Sequence, residues 1–127
     1  MPENLTHEEK VGLTRSVLGV LDAWGIAHDD QCRLLGLRRP DSARLLRRYR
    51  LGNALPDEPE VWMRVALLLR LSNSLGQLFP HSEISANLWV TTPRAKFGRK
   101  TPLELMLAGG VKGISQVERS LDNLDLL

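Results

Sequence analysis

The stretch EPEVWMRVALLLRLSNSLGQLF, residues 58–79, decides the fold. Its apolar side chains recur at helical spacing on three sides of a helix, leaving only a narrow polar strip of Arg70, Asn73 and Gln77. Asp57 and Glu60 have the spacing of an N-terminal capping box. A helix that is apolar on most sides must be enclosed by neighbouring elements. We therefore predict a central helix that joins two lobes and whose second apolar side packs either within the chain or against a second copy.

Three helices are predicted before this central helix. The first runs from about His7 to Trp24, after a capping box formed by Thr6 and Glu9. The second runs from about Asp29 to Leu35 and the third from Ser42 to Arg50. Because only a short turn with glycine and proline joins the second helix to the third, this pair has the arrangement of a helix-turn-helix.

The segment after the central helix is also helical in pattern. We predict helices over Ser82–Trp89, Pro102–Leu107 and Ser115–Leu124, the last one begun by a capping box of Ser115 and Glu118. Strand alternation is nowhere sustained, so the predicted fold class is all-α. The predicted organisation is an N-terminal helix-turn-helix lobe (residues 1–56), the central helix (57–80) and a small C-terminal helical lobe (81–127).

Length and composition limit the possible classes of protein. A chain of 127 residues makes one domain, or two small lobes that share a core. Its single cysteine, Cys32, excludes an internal disulfide and fits a reducing cytosol. The polar N-terminus argues against a secretory signal, and the longest strictly apolar run, Val65–Leu69, is too short to span a bilayer. We expect a cytoplasmic protein without membrane association.

Basic charge is concentrated in one place. The net charge is only +2, but residues 33–50 hold seven arginines, no lysine and one acid. On the third helix the apolar residues fall on one face and arginines on the opposite face, and a guanidinium can bond guanine or phosphate through two parallel hydrogen bonds. This face is therefore suited to a DNA major groove, although a solvated face of a structural helix has the same pattern. The predicted DNA-binding residues are Arg38, Arg39, Ser42, Arg44, Arg47 and Arg48.

No catalytic arrangement is evident. Gly98-Arg99-Lys100-Thr101 is similar to the end of a phosphate-binding loop, but it lacks the glycine before the lysine, the upstream glycine and the preceding strand. The three histidines are scattered, each near a helix start, so they indicate neither a metal site nor a base–nucleophile pair. We predict a binding protein that is not an enzyme and carries no cofactor.

Four segments stand in a recognisable order along the chain: Leu21–Ile26, Leu34–Gly36, Tyr49–Leu55 and Phe97–Met106. They resemble segments of the Xre/MbcA/ParS-type antitoxins of bacterial RES–Xre toxin–antitoxin modules. Leu21–Ile26, followed by Leu34–Gly36, resembles the opening of that family. Tyr49–Leu55 resembles the segment where the family shows an aromatic residue, an Arg-x-Gly and a leucine. Phe97–Met106 is the most specific match, and together these segments span roughly residues 18–122.

The resemblance implies an Xre-like N-terminal region for operator DNA and a C-terminal region that binds a cognate RES-domain toxin. It also implies that the toxin consumes NAD and is neutralised by closing its substrate pocket. A homodimer or a larger toxin–antitoxin assembly is expected, because one recognition helix buries too little surface for tight specific binding. The main hypothesis is an antitoxin that regulates its own operon. The alternatives are a stand-alone helix-turn-helix regulator and a structural partner-binding module.

Two segments compete for contact with the toxin active site. The basic loop Arg94–Lys100 offers cations, with Trp89 and Phe97 as apolar anchors, unless these rings instead fill the base of the next helix. The tail Asp122–Leu127 offers carboxylates that would imitate the phosphates of the substrate. The predicted toxin-binding residues are Trp89, Arg94, Lys96, Phe97, Arg99, Lys100, Leu126 and Leu127.

Overall fold

The computed structural model describes residues 4–38 and 41–122. Over these residues the chain forms helices and no strand, which confirms the predicted all-α class. The helices are α1 (His7–Ala23), α2 (His28–Leu35), α3 (Ser42–Arg50), α4 (Pro59–Leu78), α5 (Glu83–Trp89) and α6 (Pro102–Ser120), with a short 3-10 turn at Ala95–Phe97.

The chain divides into two compact units, Met1–Ala66 and Leu67–Leu127. The division falls inside α4, whose buried side chains include Val61 and Val65 before it and Leu71 after it. A helix that is apolar on most sides can supply core residues along its whole length. The three-segment organisation with boundaries at residues 56 and 80 stays a prediction.

Local capping signals start the helices of the first unit. The predicted box at α1 is confirmed: the hydroxyl of Thr6 accepts from the backbone N–H of Glu9 at 3.1 Å, and the Glu9 carboxylate accepts from the N–H of Thr6 at 2.8 Å. The Asp41 carboxylate likewise accepts from the N–H of Arg44 at the start of α3. The predicted boundaries of α1 and α3 agree with the structure within one residue at each end.

The core of the first unit lies where α3 contacts α1 and α2. Leu18, Leu21, Leu35 and Leu46 are almost completely buried there. The hydroxyl of Thr14 accepts from the backbone N–H of Leu55 at 3.1 Å and donates to the carbonyl of Lys10. The loop before α4 is thereby hydrogen-bonded to α1.

In the second unit, α6 begins as predicted, with a reciprocal capping box between Thr101 and Glu104. Two helical segments are present, as predicted, but their boundaries differ: the first runs past the predicted end at Leu107, and the second begins before the predicted start at Ser115. Helical structure runs on to Ser120, interrupted by a kink at Gly110, where φ is 59° and ψ is −138°.

The apparent capping box at Ser115 and Glu118 therefore lies inside α6. Glu118 is buried, and its carboxylate faces the guanidinium of Arg70 at 3.4 Å instead of capping a helix. The Thr/Ser-x-x-Glu spacing alone does not distinguish a helix start from an interior pair, because both place the two side chains on neighbouring turns.

The two halves of α6, before and after the kink, approach each other at Gly113. A Cβ atom at this position would overlap the carbonyl oxygen of Leu105 and lie 3.3 Å from the Cα of Met106. Gly113 is thus required by close backbone packing. Gly109, in the same helix, has open space around the corresponding Cβ position.

We predict opposite effects for two alanine substitutions in α6. Gly113→Ala should destabilise the protein by about 1–3 kcal/mol, because the methyl group overfills a tight backbone contact. Gly109→Ala, the matched control, should be neutral or stabilise by up to about 1 kcal/mol through helix propensity. Thermal unfolding followed by circular dichroism measures both. Equal unfolding temperatures for the two variants would contradict the close approach.

Candidate functional site

The outward face of α3 carries the predicted arginines. Arg44, Arg47 and Arg48 are exposed, while Leu46 on the opposite side is fully buried. Ala43 is also exposed, so the buried face is narrower than the apolar pattern predicted. None of the ion pairs found within the described ranges involves these three arginines. Their charges are available to an anionic partner.

The other predicted DNA contacts are placed differently. Arg38 is exposed just after α2, and Arg39 lies outside the described residues. Ser42 is only 6% exposed and hydrogen-bonds to Cys32, so the structure does not place its side chain with the exposed arginines. Burial raises the pKa of the Cys32 thiol, against the opposing effect of this hydrogen bond. The position of Ser42 at the helix start did not reveal that its side chain points inward.

A polar network holds the C-terminal end of α3. The Arg50 guanidinium donates to both carboxylate oxygens of Asp22, at 2.8 and 3.3 Å, and to the side-chain oxygen of Gln31 at 3.3 Å. Gln31 is 1% exposed and also donates to Asp22 and to the carbonyl of Ile26. The network ties α3 to α1 and α2. In the sequence Arg50 is one of the seven arginines of residues 33–50, and its structural role is not evident there, since no spacing rule links Arg50 to Asp22 and Gln31.

These partners favour the charged form of Asp22. Its partial burial would raise its pKa, but the hydrogen bonds from Gln31 and Arg50, together with the charge of Arg50, outweigh that effect and lower the pKa below its usual value. The ion pair therefore supports the folded state near neutral pH, and this support is lost as the pH falls through the range where the carboxylate is protonated.

In the second unit, residues 94–100 form a closed loop, which we call the basic loop. The backbone N–H of Arg94 donates to the carbonyl of Lys100 at 3.0 Å, and the N–H of Arg99 donates back to the carbonyl of Arg94 at 2.9 Å. The N–H groups of Gly98 and Lys100 are also bonded within the loop. With these groups occupied, the loop can bind a partner mainly through its side chains.

Arg99 has an unusual backbone conformation. Both Gly98 and Arg99 have positive φ, at 66° and 67°, and Arg99 is the one non-glycine residue with positive φ in the described part of the chain. This left-handed conformation costs a non-glycine residue about 1–2 kcal/mol. The strain shows that the backbone hydrogen bonds of the loop dictate its shape.

Two aromatic rings and two cations contact one another within the basic loop and at Trp89, which precedes it. The Trp89 ring, 1% exposed, meets the Phe97 ring edge-to-face with centroids 6.4 Å apart. The Arg94 guanidinium lies 5.1 Å from the Trp89 ring, and the Lys96 ammonium lies 5.6 Å from the Phe97 ring. Lys96 also donates to the carbonyl of Ser120. Trp89 is therefore a packing residue rather than an exposed anchor, and Phe97 is half-buried.

The cations of the loop differ in exposure. Arg94 is half-buried, its Nε has no hydrogen-bond partner, and desolvation lowers its pKa from the usual value. Lys96, Arg99 and Lys100 are exposed. Among the described residues, none of the four forms an ion pair. The loop therefore presents exposed positive charge that an acidic partner could pair with.

An exposed apolar pair on α5 was not predicted from the sequence. Ile84 and Leu88, four residues apart on α5, are 73% and 56% exposed. Ala86 and Trp89 on the same helix are buried. The helical pattern in this segment indicated which residues are apolar but not which of its faces meets the core.

The remaining predicted toxin contacts, Leu126 and Leu127, lie outside the described residues. Across residues 4–38 and 41–122, no cluster of three or more His, Cys, Asp or Glu side chains could hold a metal ion. No helix in these ranges has both the length and the hydropathy needed to cross a bilayer.

Residues 74–125 match the family model of the antitoxin Xre/MbcA/ParS C-terminal toxin-binding domain. The matched segment contains α5, the basic loop and α6. The resemblance recognised from the sequence is thereby confirmed for this part of the chain, and the match supports an antitoxin role with a toxin as partner. No curated protein matches the chain.

The strain at Arg99 leads to a stability prediction. Arg99→Gly and Arg99→Ala remove the same charge, but only glycine relieves the left-handed conformation. The relief of about 1–2 kcal/mol exceeds the greater chain entropy that glycine loses on folding, about 0.5–1 kcal/mol. Arg99→Gly should therefore be more stable than Arg99→Ala by roughly 0.5–1 kcal/mol in chemical denaturation. If the alanine variant is equally stable, Arg99 does not hold this conformation in solution.

Proposed function

We propose that this protein is an antitoxin that neutralises a cognate RES-domain, NAD-consuming toxin by binding it and closing its active site. We propose also that it represses its own operon by binding promoter DNA. The observation that carries the antitoxin function is the position of the basic loop within the segment that matches a toxin-binding domain. The RES specificity is supported by the ordered resemblance along the sequence.

The basic loop is suited to blocking a nucleotide pocket. Its shape is set by backbone hydrogen bonds, so holding its cations in place on binding costs little additional entropy. A pocket that accepts NAD must handle a pyrophosphate. Arg99 and Lys100 would pair with acidic groups at the mouth of this pocket and prevent the substrate from reaching it. The tail beyond residue 122 is the rival segment for the same task.

Removing two loop cations should weaken neutralisation. We predict that R99A/K100A lowers affinity for the toxin by roughly tenfold or more, because each cation loses a partner in a partly desolvated interface. The matched variant K112A/R119A removes two exposed cations from α6 and should change affinity by about twofold or less. Calorimetric titration with the protein encoded by the neighbouring reading frame, together with a growth assay, measures both effects. If the two variants behave alike, the role moves to the tail, to be tested by deleting residues 122–127.

For DNA, we propose that α2 and α3 act as a helix-turn-helix with α3 in the major groove. The exposed Arg44, Arg47 and Arg48 would contact base edges and phosphates, while Arg50 holds the helix in place through Asp22. Two copies would be needed to bury enough surface for specific binding. If the protein binds its promoter but not the neighbouring gene product, it is instead a stand-alone regulator.

The arginine face has its own test. R44A/R47A/R48A should abolish a promoter gel shift at moderate salt and leave toxin binding unchanged. Loss of phosphate contacts should also reduce the salt dependence of any residual binding, by about one unit of slope per contact. Arg15→Ala, which removes an exposed arginine from α1, serves as the control. An unaltered gel shift in the triple variant would show that the DNA function does not reside on this face.

A further inference from the structure

The apolar pair on α5 is an ordered surface. Ile84 and Leu88 lie on one face of the helix, because residues four apart are neighbours on a helix surface. Ser82 caps the helix start by accepting from the N–H of Ser85 at 3.1 Å, and buried Ala86 and Trp89 hold the other face. Ile84 and Leu88 are the two large apolar side chains that the described part of unit Leu67–Leu127 exposes strongly.

A protein interface needs an apolar centre inside a polar rim. The basic loop does not provide this centre, since Trp89 is buried and Lys96 lies over Phe97. Leu88 directly precedes Trp89, and the Trp89 ring contacts Arg94 of the loop. The apolar pair and the loop cations both lie within residues 74–125, the segment that matches the toxin-binding domain.

A second copy of this chain is a poor occupant for this surface. A second copy would carry the same basic loop, whose four cations form no ion pairs within the described ranges, so it offers these cations like charge instead of carboxylates. The complementary partner is a different protein with an apolar pocket bordered by carboxylates.

We infer that Ile84 and Leu88 form the apolar centre of the toxin interface and that the basic loop forms its cationic rim. This inference rests on the proposed antitoxin function and adds the residues that anchor the partner. It replaces Trp89 as the anchor, because a buried ring cannot enter a pocket of another protein.

The test is I84D/L88D, which places two carboxylates at the proposed apolar centre. Calorimetric titration with the purified product of the neighbouring reading frame should show affinity lowered by about 100-fold or more, since central apolar anchors dominate binding. The control L51D/M63D makes the same change at two exposed apolar residues of unit Met1–Ala66 and should stay within about threefold of the wild type. Circular dichroism should show that both variants keep their helices. If I84D/L88D unfolds more easily, the uncharged I84S/L88S replaces it in the same titration.

The possible results distinguish a failure of the proposed antitoxin function from a failure of the proposed apolar anchor. If the wild-type protein does not bind the neighbouring gene product, the proposed antitoxin function fails. If the wild type binds and I84D/L88D binds within about threefold of it, the function stands and the apolar anchor is wrong. If I84D/L88D turns a dimer into a monomer in sedimentation and keeps its affinity, the surface is a contact between copies, which also overturns the inference.

The acidic rim of the partner is tested through kinetics. The association rate of the wild type should fall as NaCl is raised, because oppositely charged surfaces steer the encounter. R99D/K100D should associate more slowly and lose most of this salt dependence. Faster association of R99D/K100D would show that the facing surface is basic, and would overturn the proposed chemistry of the partner.

Discussion

Burial of the apolar surface of α4 is the constraint on which the rest of the structure depends. Val61, Val65, Leu68, Leu71 and Leu75 are each 2% exposed or less along a helix of 20 residues. A helix with so much apolar surface is not stable when it is exposed to water. It contributes core residues to both compact units. Shorter helices need to bury only one face, which leaves their other faces free for charge. The arginines of α3 and the apolar pair of α5 lie on faces of this kind.

The two candidate surfaces are held in place by different physical means. In the first unit a hydrogen-bonded ion pair, Arg50 with Asp22, fixes the end of α3, and the buried Gln31 completes the network. In the second unit the closed backbone of the basic loop lies over Trp89, whose ring contacts both Phe97 and Arg94. Each surface is therefore ordered before a partner arrives, which reduces the entropy lost on binding.

Helix starts can be recognised in the sequence where the start signal is local. The structure has side-chain caps at Thr6, Asp41 and Thr101, and a side chain and an N–H three residues away are all that such a cap requires. The same rule failed at Ser115, since the path of the backbone beyond Gly110 depends on how the halves of α6 pack at Gly113. Likewise, the composition of the basic loop was evident, but the burial of Trp89 and Ser42 was not.

The sequence by itself determined the all-helical class, the positions of most helix starts, the concentration of arginine on α3 and the resemblance to an antitoxin. These depend on periodicity, capping and composition, which act between residues close in the chain. Only the tertiary structure decided which apolar side chains are core and which are exposed. In the structure Trp89 is buried, whereas Ile84 and Leu88 are exposed, although all three lie on the short helix α5. The reason is that burial depends on the elements that pack against each face, and the spacing of apolar residues within a seven-residue helix does not indicate which elements those are.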